Sequence, residues 1–115
     1  MQQAPAQPPI EVTASEWAIV TAILRRYVSA CPVWAFGSRA MRRAKPYSDL
    51  DLAIITPAPM SIALSAALAQ DFADSDLPFK VDVVDWATTG EAFRKIIEQD
   101  RVVLRFLHDD NIGKG

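Results

Sequence analysis

The stretch WAFGSRAMRRAKPYSDLDLAI, residues 34–54, contains the features that decide the fold of this chain. The apolar run Val33–Phe36 predicts a short strand, after which Gly37 and Ser38 turn the chain. A basic segment follows, and a second strand is predicted over residues 49–56. Two aspartates therefore stand in a strand that should be buried, directly after four cationic side chains.

Apolar residues at helical spacing predict helices around these strands. The first helix begins at a capping box formed by Thr13 and Glu16 and runs to about residue 30. A short second helix is predicted after Gly37, with Ser38 as its cap. The other two predicted helices cover residues 61–74 and 91–99.

The C-terminal half predicts a third strand over residues 79–86, before the last helix. Thr88 and Glu91 have capping-box spacing at the start of that helix. Residues 102–107 fit either a helix continuation or a short edge strand. The apolar side chains of the last helix should face inward: Phe93, Ile96 and Ile97. Strands that alternate with helices predict an α/β fold, in which helices pack against a small sheet.

Composition indicates one small domain. The chain has 115 residues, half of them apolar, and a net charge of −2, which allows a single core without a separate substrate-binding domain. We expect a disordered tail over residues 1–12, a folded domain over 13–107 and a polar tail over 108–115. Cys31 is the only cysteine, which indicates a reducing cytoplasm. No apolar run reaches the roughly 20 residues that span a bilayer.

Asp49 and Asp51 point to the same face of the predicted strand, because side chains alternate along a strand. Leu50 and Leu52 point to the other face, which should pack on helices. Two carboxylates about 4 Å apart repel by about 4 kcal/mol at an effective dielectric constant of about 20. Mg²⁺ or Mn²⁺ would offset this repulsion, since both prefer hard oxygen ligands. Alternatively, the two aspartates mark a solvated strand entry, because short motifs have many false positives.

Gly37 and Ser38 lie between a strand and a predicted helix, where backbone N–H groups and the helix dipole can receive a phosphate. Glycine permits the tight turn and the close approach of an anion. A Gly-Ser pair alone is a weak signal. A strand, Gly-Ser, ten residues and then D-x-D on a second strand form a much stronger one.

A third carboxylate should come from the neighbouring strand, which offers Asp82 and Asp85. They are three positions apart, so their side chains point to opposite faces of the strand and only one of them can share a face with Asp51. Periodicity alone does not choose between them. Asp82 lies mid-strand, where an unpaired charge is hardest to explain by solvation, and we select it on that ground.

The pattern Gly37-Ser38, ten residues, Asp49-x-Asp51, followed later by Asp82, resembles the minimal nucleotidyltransferases of the DNA polymerase β superfamily. The resemblance covers roughly residues 17–107. It implies a nucleotidyltransferase fold, a small mixed sheet with helices mainly on one face. It also implies that Gly37 and Ser38 hold the triphosphate of ATP, that Asp49 and Asp51 hold two Mg²⁺ ions, and that Asp82 completes one metal site and helps to activate the acceptor hydroxyl.

Small members of this family often pair with a HEPN-domain toxin and act as antitoxins, and some transfer AMP to a toxin tyrosine. The resemblance therefore implies a Mg²⁺-dependent enzyme that moves AMP from ATP to a hydroxyl of a partner toxin. One alternative is an antitoxin that neutralises its partner by binding alone. Another is transfer to a small molecule such as an aminoglycoside, which the missing second domain disfavours.

The basic cluster consists of Arg39, Arg42, Arg43 and Lys45. Arg39 directly follows Ser38 and is the best candidate for a phosphate contact, while the others would contact phosphate or a partner surface. The alternative is a solvated helix face that balances the aspartates. Similar sequences commonly have glycine where this chain has Arg42. We expect no direct nucleic-acid binding, since the chain is acidic overall and lacks an aromatic-rich basic surface.

Overall fold

Four strands form one mixed sheet in the order β3-β2-β1-β4 in the computed structural model, which describes residues 7–105. β1 is antiparallel to β2 and to β4, whereas β2 and β3 are parallel. The sequence therefore led to the right fold class. The strand bounds are β1 Val33–Phe36, β2 Leu50–Ile54, β3 Val81–Asp85 and β4 Val102–Leu104.

Over residues 7–105, three α-helices pack on this sheet. Their bounds are α1 Ala14–Val28, α2 Ile62–Asp74 and α3 Glu91–Asp100. α2 is the crossover that joins the parallel strands β2 and β3, as parallel pairing requires. α1 and α2 pack together on one face of the sheet, and α3 contacts β1 on the other.

The main core lies between the sheet and the two helices α1 and α2. Leu50, Leu52 and Ile54 of β2 are completely buried in it, as their alternation predicted. α1 contributes Val20 and Leu24, which are also completely buried. Burial of one such side chain stabilises the fold by roughly 1.5–3 kcal/mol relative to exposure, so this layer fixes which face of β2 remains for the aspartates.

A smaller apolar cluster on the opposite face is built from Phe36, Ala53 and Ile97. Ile97 is completely buried, but Phe93 and Ile96 are 41% and 52% exposed. The prediction that all three apolar side chains of α3 face inward is confirmed for Ile97 and in part for Phe93, whose ring packs edge-to-face on Phe36 with centroids 5.7 Å apart. It is wrong for Ile96, which is more exposed than buried.

The predicted start of α1 is confirmed. The Glu16 N–H donates to Thr13 Oγ1 at 3.1 Å, and the Thr13 N–H donates to Glu16 Oε1 at 2.8 Å. The second capping box is wrong, because α3 starts after Gly90 without a side-chain cap. Thr88 instead belongs to a short 3₁₀ turn, Trp86–Thr88.

The helix predicted after Ser38 does not form. The Met41 N–H donates to the Gly37 carbonyl at 3.0 Å, and the Arg43 N–H donates to the Ser38 carbonyl at 2.9 Å. Arg42, between them, has φ 57°. This is one helical turn closed by the six-residue hydrogen bond and left-handed residue that usually end a helix, so no second turn follows.

The chain ends differ in part from the prediction. Ile10 is completely buried, and the Glu11 N–H donates to the Arg39 carbonyl at 2.8 Å, so the predicted disordered tail over residues 1–12 is wrong for residues 10–12. Residues 102–104 form an edge strand, one of the two alternatives considered. The polar tail predicted over 108–115 lies outside the described residues. Within residues 7–105, no helix is long and apolar enough to cross a membrane.

Candidate active site

Asp51 and Asp82 lie side by side on neighbouring strands. The parallel register pairs Leu50 with Val81 and Asp51 with Asp82, so both carboxylates leave the same face of the sheet. Asp49 precedes β2 by one residue and lies close enough to act on Asp51 electrostatically. The three aspartates chosen from the sequence therefore belong to one carboxylate cluster.

Unbalanced negative charge marks this cluster. Burial, the Asp82 carboxylate and the Asp49 carboxylate, in that order, raise the pKa of Asp51 from 3.8 to about 6. Lys80 gives limited compensation, because its Nζ lies 3.5 Å from Asp82 Oδ1 and both side chains are exposed. The cluster would gain from a bound cation.

The oxygen atoms of this cluster suit Mg²⁺ or Mn²⁺. Among the described side chains, no three of His, Cys, Asp or Glu are gathered closely enough to hold a metal ion together. Mg²⁺ keeps several waters and is bound by one or two carboxylates together with substrate phosphates. Asp51 and Asp82 would supply the carboxylates, and the remaining ligands would have to be water and phosphate oxygens.

Gly37 brings the turn after β1 against the carboxylate cluster. Its φ is +78°, and a Cβ built at this position would collide with Oδ2 of Asp51. The register places Phe36 opposite Asp51, so Gly37 follows at the same end of the sheet. Only glycine meets both the conformational and the steric requirement.

The turn leaves backbone donors for an anion. Among the described residues, the N–H groups of Ser38 and Arg39 have no main-chain acceptor, whereas those of Met41 and Arg43 bond within the turn. Successive unpaired N–H groups in a turn can form an anion-binding concavity without a full helix. The site lacks the helix dipole that the sequence predicted there.

The Arg39 side chain is not placed for the predicted phosphate contact. Its side chain is buried, with 6% exposure, and its guanidinium stacks on Phe79 at 4.0 Å from the ring centroid. The structure therefore contradicts that prediction for the side chain. The Arg39 guanidinium instead forms hydrogen bonds both to the loop over residues 43–48 and to the N-terminal segment. Its N–H groups donate at 2.8–3.5 Å to the carbonyl oxygens of Glu11, Lys45, Pro46 and Ser48.

The other basic residues lie on the exposed loop that links the turn to β2. Arg42 has φ 57° and donates from Nη2 to the Pro8 carbonyl at 2.8 Å. This left-handed backbone is the conformation that favours glycine over an arginine. Arg43 and Lys45 are exposed on the same loop, where their charges can meet a phosphate or a partner.

Asp85, the other candidate for the third carboxylate, has a structural role. It accepts hydrogen bonds from Thr56 Oγ1 at 2.5 Å, from the Met60 N–H at 2.8 Å and from the Ala87 N–H at 3.2 Å. Burial alone would raise the pKa of Asp85, but these three hydrogen bonds outweigh it and hold that pKa below its usual value. Asp85 joins the end of β2 to the chain that leads into α2.

Comparison with known proteins identifies the family. A family model described as polymerase beta, nucleotidyltransferase, matches residues 19–106. This chain belongs to that family. The chain is also 48% identical over 96 residues, 84% of each chain, to the probable protein adenylyltransferase MntA of Haemophilus influenzae. The resemblance stated from the sequence is thereby confirmed.

Solved structures share this nucleotidyltransferase fold. The crystal structure of a toxin–antitoxin complex with AMP-PNP contains a chain with TM-score 0.66 and 22% identity, covering 76% of this chain and 71% of that chain. A tri-AMPylated Shewanella oneidensis HEPN toxin in complex with MNT antitoxin gives TM-score 0.58 and 22% identity, with coverages of 75% and 66%. At this level of identity the likeness shows the common fold.

Proposed function

We propose that this protein transfers AMP from ATP to a hydroxyl group, a tyrosine hydroxyl in the simplest case, of a partner HEPN toxin and thereby acts as its antitoxin. The observation that carries the proposal is the position of Asp51, between the Gly37 turn and Asp82. The similarity to a probable protein adenylyltransferase supports the acceptor class. The similar complexes with AMP-PNP and with an AMPylated HEPN toxin support the nucleotide and the partner.

The nucleotide would bind with its triphosphate at the turn. The N–H groups of Ser38 and Arg39, which donate to no main-chain carbonyl among the described residues, would bind the phosphate. Asp49 and Asp51 would hold two Mg²⁺ ions, with Asp82 as a further ligand, and Mn²⁺ could replace Mg²⁺. When bound, Mg²⁺ supplies charge neutralisation to the phosphates and to the departing pyrophosphate.

The chemistry is a single displacement at the α-phosphorus of ATP. The acceptor oxygen forms a bond to that phosphorus, and the bond from the phosphorus to the oxygen bridging to the β-phosphate breaks, which releases pyrophosphate. Asp82, on the strand farther from the Gly37 turn, would take the hydroxyl proton. Gly37 keeps the turn close to Asp51, so the phosphate and the carboxylates remain in one place.

The exposed basic residues complete the proposal. Arg42, Arg43 and Lys45 would contact the triphosphate or an acidic surface of the toxin. The Arg39 side chain is not included, because its guanidinium N–H groups already donate to main-chain carbonyl groups. The single thiol, Cys31, is compatible with the cytoplasm, which we propose as the location.

Transfer of labelled AMP tests this function. The protein is incubated with α-labelled ATP, Mg²⁺ and the HEPN toxin of its own genome. The unmodified protein should label the toxin, and Asp51→Asn or Asp82→Asn should lower the rate roughly 100-fold or more. Asp74→Asn, which changes an exposed carboxylate on α2 outside the cluster, should keep full activity. Absence of labelling, or unchanged labelling by Asp51→Asn, rejects the proposal.

A binding-only antitoxin is the second candidate. It is favoured by the observation that no three metal-binding side chains are gathered among residues 7–105. In that case a protein with Asp49→Asn and Asp51→Asn would still protect cells from the toxin. Loss of protection while the two proteins still bind each other would exclude this alternative.

A further inference from the structure

We propose that the acceptor segment of the toxin binds as an extended strand along the open edge of β3, beside the groove between β3 and α2. The inference rests on the proposed function, which assigns the triphosphate to the Gly37 turn and the acceptor hydroxyl to Asp82. It adds the side from which the acceptor arrives, its conformation and the surface that holds it.

The order of the strands gives the direction of approach. β1 carries the Gly37 turn, β2 carries Asp51 and β3 carries Asp82. In a displacement at phosphorus, the attacking and leaving oxygens lie on opposite sides of the reacting atom. With the pyrophosphate toward β1, the acceptor must come from the side of β3.

β3 offers an unpaired edge on that side. Among the described strands it pairs only with β2. The Leu50 N–H donates to the Lys80 carbonyl at 2.9 Å, so alternation along β3 turns the N–H and C=O groups of Val81 and Val83 away from β2. Such an edge can accept another strand, and extended peptides bind many proteins in this way.

A groove accompanies the edge. It has a volume of about 650 Å³, and its apolar lining includes Ala69, Ala73, Phe72, Phe79 and Val83. The groove lies on the α2 side of the sheet, where Val81 and Val83 contact the main core. Side chains of an added strand that point to this side would meet these apolar side chains, beside the polar groups that also line the groove: Ser65, Lys80, Asp82 and Asp85.

Asp82 connects the groove to the carboxylate cluster, because it lines the groove and is the register partner of Asp51. Alternate residues of an added strand point to opposite faces. One residue could therefore extend toward Asp51 and Asp82 while its two neighbours enter the groove. The acceptor segment should then be extended, with a hydroxyl residue flanked on both sides by apolar residues.

Two variants test the edge and the groove separately. Val83→Pro removes an N–H that points away from β2, and proline is tolerated on an edge strand when the ladder does not use its N–H. Ala69→Trp fills the groove from the exposed side of α2. Ala66→Trp is the matched control, since Ala66 is exposed on the same helix and does not line the groove.

Each variant is assayed for affinity for AMP-PNP with Mg²⁺ and for AMP transfer to the HEPN toxin. Val83→Pro and Ala69→Trp should bind AMP-PNP like the unmodified protein but transfer AMP roughly tenfold more slowly or worse. Ala66→Trp should change neither quantity. Normal transfer by Ala69→Trp, or by a folded Val83→Pro protein, overturns the inference.

Hydrogen exchange separates this inference from the proposed function, because it needs no catalysis. In the complex with the toxin, the amides of Val81 and Val83 should exchange roughly tenfold more slowly than in the free protein. Unchanged exchange at both amides overturns the inference. If the unmodified protein transfers no AMP, the proposed function fails, and protection of the two amides still decides whether the edge is the docking site.

Discussion

Asp51 and Asp82 are register partners on adjacent parallel strands, so two carboxylates stand side by side on one face of the sheet. Asp49 adds a third negative charge nearby, and the pKa of Asp51 rises to about 6. The folded state therefore retains an electrostatic repulsion among these three aspartates. The repulsion can be measured through the pH dependence of the free energy of unfolding.

The first prediction concerns this pH dependence. The pKa of Asp51 is higher in the folded state than its ordinary value of 3.8, so the folded state binds the proton more strongly than the unfolded state. The free energy of unfolding should therefore fall as pH rises from about 4 to about 6. Asp51→Asn should be more stable than the unmodified protein above that range, and the difference should disappear below it.

Chemical denaturation from pH 4 to pH 8 measures this difference. Added Mg²⁺ should reduce it at neutral pH by stabilising only the protein that retains Asp51. Asp85→Asn is a control with the opposite expected sign, because the Asp85 carboxylate accepts three hydrogen bonds in the unmodified protein. The free energy of unfolding of this variant should be lower by roughly 1–3 kcal/mol at neutral pH. Equal stability of Asp51→Asn and the unmodified protein at pH 8 would contradict the repulsion.

Gly37→Ala should damage both stability and nucleotide chemistry. The left-handed backbone costs a non-glycine residue roughly 1–2 kcal/mol, and the new methyl group must displace the Asp51 carboxylate. We expect a loss of about 2 kcal/mol or more and a severe fall in AMP transfer, measured by denaturation and by toxin labelling.

Gly90→Ala is the control for this substitution, since a Cβ there meets nothing within 4 Å. It should change the free energy of unfolding by less than about 1 kcal/mol. In an Asp51→Ala background, Gly37→Ala should become less costly because the colliding carboxylate is absent. An unchanged cost in that background would show that the collision is not the cause.

Arg39→Ala should act on stability rather than on phosphate affinity. The substitution leaves several partly buried carbonyl oxygens without their donor and should cost roughly 2–4 kcal/mol. Arg43→Ala, on the exposed loop, should stay within about 0.5 kcal/mol of the unmodified protein. A protein with Arg39→Ala that keeps full stability but loses affinity for AMP-PNP would restore the original phosphate interpretation.

Replacements at Arg42 should reverse the usual order of alanine and glycine. Its φ of 57° penalises every side chain, so Arg42→Gly should be more stable than Arg42→Ala by about 1 kcal/mol. Both lose the same hydrogen bond to Pro8, so the comparison isolates the backbone. At Arg43, where φ is negative, glycine should give no such advantage, and denaturation curves of the four variants decide the matter.

The alternation of apolar and polar residues along the strands predicted most of the fold. Alternation in β2 correctly separated the buried Leu50 and Leu52 from Asp51, because a strand has a side-chain period of two. The mid-strand position of Asp82 also led to the residue that the register places beside Asp51. Both inferences needed only neighbours in the sequence.

The wrong predictions arose from the backbone, which the pattern of side chains does not report. Arg39 was interpreted from its charge and its position after Ser38. The partners of its side chain are main-chain carbonyl oxygens that the folded loop brings close to it. Every residue has such a carbonyl, so residue types do not indicate these acceptors. The helix expected after Ser38 ends at once because Arg42 turns left-handed, which nothing in the identity of an arginine indicates.

The N-terminal segment, residues 8–12, has a consequence for where this domain should be cut. It precedes the family match, which starts at residue 19, yet its carbonyl groups hold Arg39 and Arg42, and Ile10 fills the core. A boundary drawn from the family match alone would cut inside α1 and remove the segment that holds Arg39 and Arg42 beside the turn after β1. Such a truncated protein would lose activity without losing any residue of the shared motif, and an inactive fragment would be mistaken for an inactive enzyme.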